Sequence, residues 1–166
     1  MDSFATLPHI PLDAIDLRLL DQLQRDASLS NQALAQRCHV SPATCLRRVR
    51  RLVEAGVIER RVALLSPERL GAGLTAIVEI TLDQQAAERL AAFEARAVAE
   101  PQVQQCYRVS SGPDFVLVIQ VRDMDAYHAL AQRLFTNDAN VRNVKAYFAV
   151  KRAKFEPALN LPPPSA

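Results

Sequence analysis

The spacing of apolar residues changes character once along this chain, across residues 66–73, and that change constrains the fold more than any other feature. Upstream of it the period is helical. Ile15, Leu19, Leu20 and Leu23 recur at i, i+4, i+5 and i+8, with Asp13 and Asp16 where a helix N-terminus favours negative charge. A second, shorter helix is expected after Ser30, burying Leu34, Ala35 and Cys38. His39, Val40, Ser41 and Pro42 break the pattern before a third helix, with Ser41 suited to the N-cap and Pro42 to the first turn. Gly56 suits a left-handed stop, and Val57-Ile58 and Val62 to Leu65 read as two short strands around Glu59-Arg60-Arg61. Three helices and a small hairpin make a winged helix-turn-helix.

Downstream, the order becomes strand, helix, strand, strand, helix, strand. The expected strands are Leu74 to Leu82, Val103 to Ser110, Phe115 to Val121 and Val141 to Lys151. The first alternates, with Ala76, Val78, Ile80 and Leu82 on one face. Helices are expected over Gln84 to Ala99, with Leu90, Phe93, Ala97 and Val98 inward, and from Met124 to Phe135, entered through Asp123. A βαββαβ order is the ferredoxin-like arrangement, so the fold class is α+β with two domains. The expected boundaries are 1–66 for the winged helix-turn-helix, 67–73 for a short hinge, 74–155 for the ferredoxin-like domain and 156–166 for a Pro-rich tail. An open sheet face in the second domain would drive dimerisation.

At 166 residues with 49% apolar and 23% charged residues, the chain has material for two small cores. No apolar run approaches the roughly twenty residues that span a bilayer, and the N-terminus lacks a basic end and an apolar segment. Cys38, Cys45 and Cys106 show no zinc spacing, and a cytoplasmic, reducing setting is expected. Cys38 and Cys45 read as small core residues, whereas Cys106 on a strand leaves a redox role open. His9, His39 and His128 are too scattered for a metal or a catalytic dyad, so no metal, cofactor or catalytic residue is expected.

A formal net charge of +2 conceals its own distribution. Residues 1–36 carry −3, residues 37–61 carry +5 from seven arginines against two glutamates, and the remainder is neutral. Thr44, Arg47, Arg48 and Arg51 share a stripe of the third helix, while Cys45, Val49 and Leu52 form another that packs on the first two helices. A helix with one apolar and one basic side, after a tight turn, fits the major groove. The arginine fork suits guanine O6 and N7, or a phosphate. Ser41, Pro42, Ala43, Thr44, Arg47, Arg48 and Arg51 are therefore the candidate DNA contacts.

The residues Asp16-x-x-Leu19-Leu20, Ser30-Asn31-x-x-Leu34-Ala35-x-Arg37 and Ser41-Pro42-x-x-Cys45-Leu46-x-Arg48-Val49-Arg50-Arg51-Leu52 carry a family likeness. With Val78-Glu79-Ile80-Thr81-Leu82, Asp123-Met124-x-Ala126-Tyr127 and the Tyr147 strand, they resemble the Lrp/AsnC, or feast/famine, family over about residues 12–155. The resemblance implies a transcription regulator that binds operator DNA, dimerises through the βαββαβ domain, assembles into octamers or similar rings, and senses an amino acid. It also implies an effector pocket at the loop between the second and third strands. There Ser111 and Gly112 would offer backbone N–H groups to a carboxylate and Asp114 would hold an ammonium, with Met124, Thr136 and Tyr147 facing or flanking the pocket.

Three positions depart from the family pattern. His39 replaces the usual glycine of the helix-turn-helix turn, Gly112 lies one step nearer Asp114 than usual, and Ala139-Asn140 replaces a Pro-Gly turn. Two other readings share the layout. A haem-pathway decarboxylase type would have lost the basic stripe and gained histidines in the second domain, where this chain has only His128. An architectural, nucleoid-type protein would keep the contact helix and differ in specificity.

Overall fold

A computed structural model describes residues 10–71 and 73–162. Two compact units form, one from residues 10–64 together with 155–162, the other from residues 65–154. The first nine residues, Ala72 in the hinge and the last four residues of the tail lie outside the described residues.

The first unit holds α1 (Ala14–Arg25), α2 (Asn31–Arg37) and α3 (Pro42–Glu54). Each starts where a side-chain oxygen replaces a missing acceptor. Asp13 caps α1 and forms a reciprocal capping box with Asp16, Ser30 caps α2, and Ser41 caps α3 ahead of Pro42. Leu19, Leu23, Leu34, Ala35, Cys38, Cys45 and Val49 pack together as its core. Leu52, on the same side of α3 as Cys45 and Val49, is also fully buried. Gly56 sits in the left-handed region at φ 71°, as a chain leaving α3 at that angle requires. His39 does too, at φ 55°, in the turn between α2 and α3.

The expected hairpin over residues 57–65 is not formed as a strand ladder. Val62, Leu64 and Leu65 are exposed. No buried face sets a register there, and an isolated two-stranded ribbon is marginal in water.

The second unit is a four-stranded antiparallel sheet in the order β2-β3-β1-β4, with β1 at Leu74–Leu82, β2 at Val103–Arg108, β3 at Phe115–Val121 and β4 at Val141–Phe148. With α4 (Ala87–Ala99) and α5 (Met124–Ala131) it completes the βαββαβ plan. Ala76, Val78, Ile80 and Leu82 of β1 and Phe115, Leu117, Ile119 and Val121 of β3 point inward, as their alternation requires. Phe93 of α4 meets Phe115 with ring centroids 4.9 Å apart. The structure differs from expectation at five points, two of them with a plain local cause. The helix begins at Ala87 because the Asn140 side chain bonds both N–H and C=O of Gln84 and holds that segment outside it. Val98 is 66% exposed because Leu90, Phe93 and Ala97 already occupy the inward stripe. After Ala131 the coil widens into a π turn over Gln132–Thr136, and both Leu134 and Phe135 lie in the core. β2 stops at Arg108 and β4 at Phe148, short of the expected ends.

No helix among the described residues is long and apolar enough to cross a membrane.

Candidate functional site

α3 is placed by contacts on both neighbouring helices. Asn31 Nδ2 donates to the Pro42 carbonyl at 2.9 Å, fixing the first turn of α3 against α2. Ser41 Oγ accepts from Thr44 N and donates to Thr44 Oγ1, so both hydroxyls are engaged in the cap. Ser41, Pro42 and Ala43 remain exposed at the helix start.

Two of the three candidate arginines are drawn into an interhelical ion cluster. Arg48 Nη1 donates to Asp13 Oδ2 at 2.6 Å and to Asp16 Oδ1 at 2.9 Å, while Arg51 Nη2 donates to Asp16 Oδ2 at 2.5 Å. Asp16 is only 1% exposed and the Arg48 side chain 18%. Arg48 is thus a clamp between α1 and α3 rather than a free groove contact, and half-exposed Arg51 has one arm of its fork committed. The hydrogen bond from Asp16 N–H, opposed by partial burial and reinforced by Arg48, holds the Asp13 carboxyl at about 2.

Arg47 and Arg50 are exposed and make no ion pair among the described residues. With Ala43 and Leu46 they form the outward stripe at i, i+3, i+4 and i+7. Sequence reading did not place Arg50 and Leu46 on the outward side of α3, yet a signal for that side existed. At about 100° per residue, the direction opposite Cys45, Val49 and Leu52 passes through Ala43, Arg47, Arg50 and Glu54.

The β2–β3 loop turns through Ser111 at φ 65° and Gly112 at φ 127°, both exposed. Asp114 closes it. Its carbonyl accepts from Val109 N at 3.0 Å, its N–H donates to Ile80 O at 2.8 Å, and its Oδ2 accepts from Leu82 N at 2.7 Å. One carboxylate oxygen is therefore spent on the end of β1, and Oδ1 makes no hydrogen bond among the described residues. Thr136 is exposed just ahead of β4, whose Val141 pairs with Leu82 at this same end of the sheet. Met124 follows β3 at the other end, roughly 20 Å along that strand from the loop. Tyr147 pairs with Ile77 partway along β1. One protomer thus gathers Ser111, Gly112, Asp114 and Thr136 at one sheet end, and leaves Met124 and Tyr147 apart from them.

Burial pushes the Cys38, Cys45 and Cys106 thiols up, away from the thiolate that redox chemistry needs. No group of three metal-ligating side chains occurs among the described residues.

Residues 12–59 match the family model of a winged helix-turn-helix DNA-binding domain, and residues 75–159 match that of the Lrp/AsnC ligand-binding domain. The chain is 37% identical to the leucine-responsive regulatory protein of Salmonella typhimurium over 147 residues, covering 89% of this chain and 90% of that one. The chain belongs to the Lrp/AsnC family. A second relative, the Bkd operon transcriptional regulator of Pseudomonas aeruginosa, is 39% identical over 140 residues, covering 84% of this chain and 92% of that one. A Neisseria meningitidis transcriptional regulator solved with L-methionine superposes with a TM-score of 0.84 at 29% identity, covering 90% of this chain and 97% of that one. This Lrp/AsnC protein is an effector-responsive, DNA-binding regulator of transcription, the function that its two matched domains carry.

Proposed function

We propose that the regulator reads operator DNA with the outward stripe of α3, through Arg47 and Arg50 flanked by Ala43 and Leu46. Ser41, Pro42 and Thr44 seat the helix start against the backbone. The observation that carries this reading is the division of labour among the arginines. Asp13 and Asp16 neutralise Arg48 and Arg51, whereas Arg47 and Arg50 are exposed and make no ion pair among the described residues, which leaves their forks available to bases or phosphates.

The effector is an amino acid, as in the L-methionine complexes of the Neisseria meningitidis protein and of the Mycobacterium tuberculosis feast or famine regulatory protein. Its carboxylate meets the N–H groups of the loop around Ser111 and Gly112, and its ammonium meets Asp114 Oδ1. Met124 and Tyr147 join such a pocket only if a second protomer brings them. The open sheet face, with Ile77, Tyr107 and Tyr147 exposed, supports a homodimer that assembles further into an octamer or similar ring.

A gel-shift titration at fixed salt, with and without each of the twenty amino acids, tests the reading. Arg47→Ala and Arg50→Ala should each weaken specific binding by about 1–3 kcal/mol without altering thermal stability. Unchanged affinity in both variants rejects the α3 assignment, and twenty silent amino acids reject the effector.

A further inference from the structure

The geometry points to a second binding site on the DNA-binding unit: a seat for an extended peptide main chain, formed by Gln24 beside an apolar cleft and occupied by the chain's own residues 157–161, which make one wall of that cleft. Gln24 Nε2 donates to the Leu159 carbonyl at 2.9 Å, and Leu159 N–H donates back to Gln24 Oε1 at 2.9 Å. One side-chain amide thus satisfies both backbone groups of one residue, as a neighbouring β-strand would. The Leu159 side chain is itself 73% exposed, so the recognition is of backbone rather than of that side chain.

Specificity lies on either side. Ala158 and Leu161 are half-buried, and the cleft, about 580 Å³, is walled by Leu20, Leu23, Ile58 and Val62 with Pro157 and Leu161 opposite. Pro157 and Pro162 bracket the segment and restrict it to extended backbone, which lowers the entropy lost on docking. None of the cleft residues belongs to α3 or to the turn before it, so an occupied seat leaves the DNA-facing stripe free. The tail thereby returns the chain to the first unit, which residue 64 had left. The seat neither requires nor affects the DNA reading proposed above.

The test uses a fluorescent peptide of residues 155–162, the full chain, and a chain ending at Lys154. The peptide should bind the shortened chain saturably and the full chain far more weakly, because the attached tail competes. Gln24→Ala in the shortened chain should weaken the peptide by about tenfold or more, the loss of two net hydrogen bonds. No saturable binding to a shortened chain that still melts cooperatively overturns the proposal, as does binding that Gln24→Ala leaves unchanged. Should the shortened chain fail to fold, hydrogen exchange at the Leu159 amide of the full chain decides. Exchange about tenfold faster in Gln24→Ala supports the seat, and an unchanged rate overturns it.

Discussion

Asp16 lies buried beneath α3 with its Oδ1 2.9 Å from Arg48 Nη1, so α1 holds α3 by an ion pair largely shielded from water. Arg51 closes on the other carboxylate oxygen and Asp13 on the same Arg48 nitrogen. A buried charge left without its partner is far more costly than the pair is stabilising. Replacing both cations, Arg48→Ala together with Arg51→Ala, strands the buried Asp16 carboxylate and is therefore expected to lower the stability of the DNA-binding unit by about 3 kcal/mol or more. Urea denaturation checks this, and a loss below that of an ordinary surface change would refute the clamp.

Asp13 contributes with a defined pH signature. Its carboxyl titrates at about 2 in the fold against an ordinary value of 3.8, so its stabilisation is complete above the ordinary value and is lost as pH falls through the lower one. Asp13→Ala should cost about 1 kcal/mol at neutral pH, the usual worth of an N-cap. The gap between variant and parent should close as pH falls from about 4 to about 2. A gap that stays constant over that window would place the effect elsewhere than in the carboxylate.

His39 occupies the left-handed region at φ 55°, which histidine enters more readily than most side chains but at a cost that glycine does not bear. His39→Gly removes the Cβ conflict and adds freedom to the unfolded chain. The first effect is the larger, so a net gain of about 0.5–1 kcal/mol is expected. The change should leave operator affinity alone. Chemical denaturation and gel shift together test it, and destabilisation would show that the imidazole does something the backbone angle does not reveal.

Asp114 has a scaffolding task that must be separated from ligand binding. Asp114→Ala leaves the Leu82 N–H without its acceptor and should cost about 1–3 kcal/mol. Asp114→Asn keeps an acceptor oxygen for Leu82 while removing the charge that would hold an ammonium. Thermal shift with the amino acid found active should therefore show a near-parental melting point for Asp114→Asn and a lost ligand response. A full response in that variant would exclude the carboxylate from the pocket.

Much of the fold was legible because its signals are local. β1 and β3 follow alternation residue by residue, and Asp13, Ser30 and Ser41 cap helices in the way their side chains permit anywhere in a chain. The hairpin over residues 57–65 was not legible, because β-propensity does not make a ladder without a buried face. The ion cluster was half legible. Asp16 shares the i, i+3, i+7 stripe of Leu19 and Leu23, so a carboxylate was headed for the core and needed a cation there.

Sequence alone determined the kinds of element, their order and the concentration of arginine on α3, since periodicity, capping and charge count are properties of neighbouring residues. Tertiary structure decided which arginines face outward. A single-residue step turns a helix by about 100°, enough to exchange the stripe of Arg48 and Arg51 for that of Arg47 and Arg50. That choice rests on how α3 packs against α1, where Asp16 waits 32 residues away along the chain. The same holds for the effector residues. Chain order sets Met124 ten residues after Asp114, but β3 carries them to opposite ends of the sheet.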